Sequence, residues 1–284
     1  MNTDTLLPIG DEQVEQFWRD GAICLRGQFD AGWVAAMRAA TAAVMADPGP
    51  LWTGRGGGEK AKSFYVELGL WSRDATFRSF VFDSPAPAIA RRFLRTRKLN
   101  LFFDQLFVKA PGAQNPTPFH QDQPYWPVHG RQVLSIWFAM DPVTMATGGL
   151  EYVRGSHDWN RVFHPESFRG DPEQAARMAK LGGEKIPDIN AARESYEFLS
   201  WDMEPGDILL HHGMSVHGAP ANSSTDTPRR GYAVRWTGDD ARWDPRPGIL
   251  ETIPGPSTLP MPGERGGPMD SEAFPVVAAG SGTR

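Results

Sequence analysis

A single cysteine, Cys24, stands in a chain of 284 residues, so an intramolecular disulfide is impossible and thiolate zinc sites are excluded. Any metal must be held by histidines and carboxylates. There is no block of lysine and arginine either. With a net charge of −5 the chain has no basic face to neutralise phosphates, which argues against a nucleic-acid partner and for a small-molecule substrate. Long apolar runs are missing, and Met1 to Gly10 lacks the basic stretch and apolar stretch of a secretory signal, so no membrane segment and a soluble, cytoplasmic protein are expected. Nothing in the sequence fixes an oligomeric state.

What is present is turn residue and aromatic. The 30 glycines and 25 prolines fit short strands joined by loops better than a helical bundle, and 16 Phe with 10 Trp can fill a core or line a cavity. The expectation is one domain over residues 1–284, mainly β with flanking α-helices. Helices are predicted within 11–95. Asp11 to Asp20 carries Val14, Phe17 and Trp18 at helical spacing and stops at Gly21. Asp30 can cap a second helix bearing Trp33, Val34, Met37 and Val44, and Ser84-Pro85 opens another that runs to about Leu94. Ala22 to Leu25 reads as a short strand, and Asp47 to Lys60, with Gly56-Gly57-Gly58, as a loop.

From about residue 98 to 237 the pattern becomes one of strands. Leu99 to Val108, Val133 to Met140, Leu150 to Val153, Tyr196 to Met203, Asp207 to His211 and Gly231 to Thr237 are candidates separated by Gly, Pro and Asp, a series that suggests a barrel or sandwich. Glu204-Pro205-Gly206-Asp207 reads as a tight turn. Asn160 to Arg193 is polar, with a helical piece near Pro172 to Leu181, and is expected to be an insertion over the barrel mouth. The Pro/Gly-rich tail, 244–284, is expected to wrap the surface.

The chemistry concentrates in Phe119-His120-Gln121-Asp122. On a strand, residues two apart point to one face, so His120 and Asp122 would aim at a common point. His217, after the apolar run Ile208-Leu209-Leu210, offers a third ligand. Two histidines and one carboxylate on one side of a metal form the facial set of non-haem Fe(II) oxygenases, with positions left open for cosubstrate and O2. Pro228-Arg229-Arg230 then leads into a strand, and a buried arginine there would pair bidentately with a carboxylate such as the distal one of 2-oxoglutarate.

These residues resemble the phytanoyl-CoA dioxygenase family of Fe(II)/2-oxoglutarate-dependent oxygenases. The resemblance covers roughly Leu99 to Trp236. It rests on Lys109-Ala110-Pro111-Gly112, His120-Gln121-Asp122, Ile136 to Asp141, Gly148-Gly149-Leu150, Gly155-Ser156-His157, Pro205-Gly206-Asp207, His217-Gly218 and Pro228-Arg229. It implies a double-stranded β-helix, a jelly-roll, cupin-like barrel. It also implies His120, Asp122 and His217 as iron ligands and Arg229 as the 2-oxoglutarate anchor, with Trp137 and Lys109 lining that pocket. Retention of Asp122 implies hydroxylation of a small organic substrate, with loss of CO2 and release of succinate, over halogenation. In two places the chain departs from the family. The spacing from His217 to Arg229 is one residue longer, which leaves Arg230 as an alternative anchor, and Ala219 replaces a frequent serine. A cupin-like metal enzyme without 2-oxoglutarate and a non-catalytic ligand-binding barrel are the competing readings.

Gln105 and Lys109 could point inward together. Of the doublet His211-His212, alternation allows one side chain to face the site. Gln121 and Gln123 suggest structural hydrogen bonds, and His157 a loop residue bonded to backbone. Arg131, Arg154, Arg161 and Arg235 could each meet an anionic group or be solvated charges. Tyr125, Trp126 and Trp236 are expected to pack the core more than to line a cavity.

Overall fold

Local signals set the N-terminal helices. Helix α1 (Asp11–Asp20) ends at Gly21, whose φ of 83° suits glycine and whose N–H donates to the Phe17 carbonyl. Strand β1 (Ala22–Leu25) follows, and α2 (Ala31–Ala46) is capped by the Asp30 carboxylate, which accepts from the Trp33 N–H. Next come β2 (Trp52–Gly54), β3 (Phe64–Leu68), α3 (Ala75–Asp83) and α4 (Ala86–Leu94). Pro85 and the Ser84 hydroxyl start α4 as expected. Neither β2, β3 nor α3 was foreseen, although Asp74 caps α3 through the Thr76 and Phe77 N–H groups. The computed structural model describes residues 1–54, 64–164, 176, 182–246, 249 and 259–279. The Gly56 to Gly58 loop and most of the helical piece expected near 172–181 lie outside the described residues.

The strands that follow are β4 (Lys98–Lys109), β5 (Thr117–His120), β6 (Val128–His129), β7 (Val133–Ala139), β8 (Glu151–Val153), β9 (Phe198–Ser200), β10 (Ile208–His212), β11 (His217–Ala219), β12 (Arg229–Thr237), β13 (Arg242–Trp243) and β14 (Val276–Ala279). They form a major sheet ordered β1-β10-β7-β12-β4-β3-β2, with β14 also on β4, and a minor sheet ordered β5-β11-β8-β9. A short pair, β6 and β13, stands apart, and among the described residues the sheets do not join into a closed barrel. The architecture is mainly β with flanking helices.

Alternation along β7 and β12 separates two environments. Leu134, Ile136 and Phe138 with Tyr232, Val234 and Trp236 face the helices, in a core shared with Phe17, Trp33, Met37, Phe77, Phe80 and Phe93. Trp137, Ala139 and Ala233 face the other way, toward the minor sheet, with Leu209 and Tyr152. Each fully buried aromatic of the outer layer contributes on the order of 2–3 kcal/mol by removal from water.

The tail corrects an expectation. It does not merely wrap the surface: β14 pairs with β4 through Val276 opposite Asn100 and Ala279 opposite Lys98. Met269, Ala273 and Phe274 are buried, Phe274 against Phe102. The reason lies in β4, which pairs with β12 from Asn100 to Lys109 on one side while β3 covers only Phe64↔Lys109 to Leu68↔Gln105 on the other. The remaining edge would expose unpaired backbone groups, and β14 covers it. Among the described residues no helix is long and apolar enough to cross a membrane.

Candidate metal centre

His120 is the last residue of β5 and lies directly opposite His217, the first of β11, so the strand pairing itself brings the two rings together, 4.3 Å between centroids. Asp122 converges on them by a different route from the one expected. It is not on the strand: its backbone is helical (φ −75°, ψ −48°) and opens a single 3-10 turn over Gln123–Tyr125. The chain bends at the strand end, and the bend brings Asp122 Oδ1 to 3.3 Å from His120 Nε2 and 4.0 Å from His217 Nε2. One donor atom from each residue lies within 4.8 Å of the others, a grouping able to hold one metal ion. Gln121 fixes the bend from behind, donating to the Arg161 and Met214 carbonyls and accepting from the Phe163 N–H.

Hydrogen bonding sets the ring chemistry. His120 Nδ1 lies 2.9 Å from the Pro118 carbonyl and His217 Nδ1 3.0 Å from the Ser215 carbonyl. A carbonyl only accepts, so each Nδ1 donates and each Nε2 is left directed at the cluster, where a metal would take its lone pair. Burial, with His120 beside it, holds His217 well below the usual imidazole range. Burial alone would raise the Asp122 carboxyl, but hydrogen bonds from His120 and His211 and the nearby His217 hold it well below the carboxylate range. Neutral imidazole and ionised carboxylate are the states a metal requires, so the donor set fits a divalent cation.

His211 is the member of the doublet that faces this site. Its Nε2 lies 3.3 Å from the second Asp122 oxygen and its Nδ1 3.2 Å from the Tyr152 hydroxyl. Since the carboxylate only accepts, Nε2 donates, and Nδ1 accepts from Tyr152. The chain Tyr152–His211–Asp122 orients the carboxylate and leaves Oδ1 toward the two rings. Tyr152, on β8 opposite His217, went unnoticed in the sequence because its role depends on the facing of two sheets. His212 turns away, to the Arg131 carbonyl, and buried His157 meets the Trp18 carbonyl, apart from the cluster.

On the major sheet, Arg229 is 3% exposed, with its guanidinium 5.4 Å from the centre of the Trp137 ring. Arg230 faces outward and is committed to Asp141 by Nε and Nη2, at 2.8 and 2.5 Å. Arg229 pairs with Lys109 across β4, and the fully buried Lys109 donates Nζ to the Pro220 carbonyl at 2.6 Å. Half-buried Gln105 sits opposite Ala233 on the same face of β4 as Lys109. Gly231 lies between Arg229 and Ala233, and a Cβ there would stand 1.8 Å from the Trp137 ring. The indole lies across the glycine, beside the Arg229 guanidinium. Ala219 is buried on β11 and brings no hydroxyl.

The sequence matches the profile of the phytanoyl-CoA dioxygenase (PhyH) family over residues 17–231. A 1-deoxypentalenic acid 11-beta-hydroxylase of Streptomyces arenae is 27% identical over 166 residues, 55% of this chain and 51% of that protein. The chain spans about half the length or less of the curated relatives it matches first. Among solved structures, the non-heme alpha ketoglutarate dependent carbocyclase SnoK from nogalamycin biosynthesis superposes with a TM-score of 0.73 at 23% identity, over 98% of this chain and 100% of that one. The epimerase SnoN, in complex with Fe3+, alpha ketoglutarate and nogalamycin RO, gives 0.73 at 22% identity over 94% and 98%. At such identities the likeness speaks to the fold, a double-stranded β-helix. By its sequence match, the chain belongs to the phytanoyl-CoA dioxygenase (PhyH) family.

Proposed function

We propose that the chain is an Fe(II)- and 2-oxoglutarate-dependent oxygenase that hydroxylates a small organic substrate. The observation that carries this reading is the juxtaposition, across two facing sheets, of the His120-Asp122-His217 cluster and the inward, buried Arg229. When bound, Fe(II) with 2-oxoglutarate and O2 supplies an oxidant that inserts one oxygen atom into a substrate C–H bond, the other leaving in succinate as CO2 is lost.

The protein's own part is to hold and orient. His120 and His217 offer neutral Nε2 donors, and Asp122, aligned by His211, offers one charged oxygen, which leaves one side of the metal open. Arg229 would take the distal carboxylate of 2-oxoglutarate in a two-point ion pair, with Trp137 as the wall and Lys109 and Gln105 on the same face. Arg230 is spent on Asp141, which supports Arg229 as the anchor. An ionised Asp122 in the ligand set supports oxygenation over halide chemistry.

In this reading residues 1–284 act as one catalytic domain, since the helices and β14 pack or pair on the sheet that carries Arg229. A cytoplasmic location accords with a lone thiol, Cys24, that burial pushes up to about 12. The test is succinate release from 2-oxoglutarate in air, which should require added Fe(II). Asp122→Ala should lower it by about a hundredfold or more while circular dichroism stays unchanged; full activity in that variant would refute the ligand assignment.

A further inference from the structure

Four arginines in the chain could meet an anionic group, and the structure sorts them. Arg131 pairs with Asp158, Arg154 with Asp20 and Glu197, and Arg161 with Glu184, all near the surface. Arg235 is 5% exposed, and among the described residues no carboxylate lies within ion-pair distance of it. Its only described acceptor is the Ala233 carbonyl, 3.5 Å from Nη1, and its Nε is buried without a partner.

Its surroundings belong to the metal site. A row across the inner face of the major sheet runs His211, Ser135, Arg235, Phe103, set by the pairing of β10, β7, β12 and β4. His211 touches Asp122, so this row is level with the cluster, while Arg229 lies three inward positions further along β12. Ser135, beside Arg235, also buries a hydroxyl without a partner. The guanidinium lies 4.7 Å from the Phe103 ring centre, 5.7 Å from Trp126 and 5.8 Å from Phe107.

Charge bookkeeping points the same way. A divalent metal, Asp122 and a dianionic 2-oxoacid leave one negative charge, which Arg229 answers, and Lys109 is a further cation. Arg235 is then a further buried cation that Asp122 and Asp104 offset only through space, and among the described residues its guanidinium still lacks a carboxylate in direct contact. Asp104 on the neighbouring strand does not pair with it. Asp104 faces the opposite side of the sheet, takes hydrogen bonds from Tyr232 and the Trp71 N–H, and is pushed up to about 6 by burial.

We propose that Arg235 and Ser135 form an anion subsite for the prime substrate, which is a carboxylate-bearing molecule whose carbon skeleton rests against Phe103, Phe107 and Trp126. The inference rests on the oxygenase reading and deepens it by naming a substrate class. The guanidinium donates to the carboxylate oxygens, Ser135 donates a further hydrogen bond, and the reacting carbon is placed next to the open side of the metal.

The experiment is calorimetric titration of the anaerobic, Fe(II)-loaded protein, saturated with 2-oxoglutarate so that the Arg229 site is filled. The probes are 3-phenylpropanoate and its neutral amide. The acid should bind about tenfold or more tighter than the amide. Arg235→Gln should abolish that preference, and Arg235→Lys, which keeps the charge, should restore part of it. Affinity for 2-oxoglutarate, read from its visible charge-transfer band with Fe(II), should stay within about threefold in both variants. Equal binding of acid and amide, no binding of either, or an unchanged preference in Arg235→Gln overturns the proposal. A large loss of 2-oxoglutarate affinity in Arg235→Gln also overturns it, by assigning the guanidinium to the cosubstrate. Absence of the charge-transfer band in the parent protein would instead sink the oxygenase reading, and the acid preference would still be read independently by calorimetry.

Discussion

The two faces of the major sheet are built from the same strands and do opposite work. On β12 the outward residues Arg230, Tyr232, Val234 and Trp236 are tied into their surroundings: Arg230 grips Asp141, Tyr232 donates to Asp104, and Val234 and the Trp236 ring join the helical core, although the indole N–H is buried without a partner among the described residues. The inward residues are two charged side chains, Arg229 and Arg235, flanking two small ones, Gly231 and Ala233, and the Trp137 ring lies over Gly231. In the proposed reading the outer face carries stability and the inner face holds the cosubstrate. A period of two lets one strand serve both.

Substitutions can break or sharpen that contrast. The largest effect is expected on the opposing lip, where Asp122→Ala removes the charged donor. On β12, Arg229→Leu should raise the 2-oxoglutarate dissociation constant by about ten- to a hundredfold with little change in Tm. Arg230→Leu should do the reverse, leaving affinity intact and lowering stability by about 1–2 kcal/mol, because buried Asp141 loses two charged donors and keeps only Arg38 and the backbone N–H of residue 230. Identical behaviour of the two, in paired titrations and denaturant melts, would dissolve the distinction between faces. His211→Phe should weaken Fe(II) binding by about tenfold or more, since Asp122 loses the partner that orients it. Metal affinity equal to the parent's, in a chelator competition, would count against the Tyr152–His211–Asp122 chain. Gly231→Ala should cost about 1–3 kcal/mol and weaken 2-oxoglutarate binding together, because the new methyl overlaps the Trp137 ring. An unaltered Tm and affinity would mean the indole can move aside freely.

Much of this contrast was legible in the sequence, unevenly. Helix caps at Asp30 and Ser84-Pro85 and the stop at Gly21 are short-range signals and located their helices. Strand alternation assigned Arg229 and Arg230 to opposite faces but not which was inward, because the apolar boundary that sets register comes from α3, a helix that was overlooked. β3 escaped because all five of its residues are buried, Glu67 included, through bonds to Tyr65, Arg73 and the Gly49 N–H, so no polar alternation marks it. The three residues expected to hold a metal do come together, yet parity was the wrong reason for Asp122, which reaches the others from a turn. Tyr152, Ser135 and the isolation of Arg235 depend on which sheets face each other, and a one-dimensional pattern does not carry that information. The tail strand was missed for the same reason: its partner is the uncovered edge of β4, far away in sequence.

The most direct test of the central claim is anaerobic titration of the iron-loaded protein with 2-oxoglutarate, followed by the visible charge-transfer band of a 2-oxoacid bound to Fe(II) through two oxygens. The account predicts a saturable band whose midpoint moves to much higher 2-oxoglutarate in Arg229→Leu and stays in place in Arg230→Leu. A fully metallated protein with no band, or with equal midpoints in all three proteins, would contradict it.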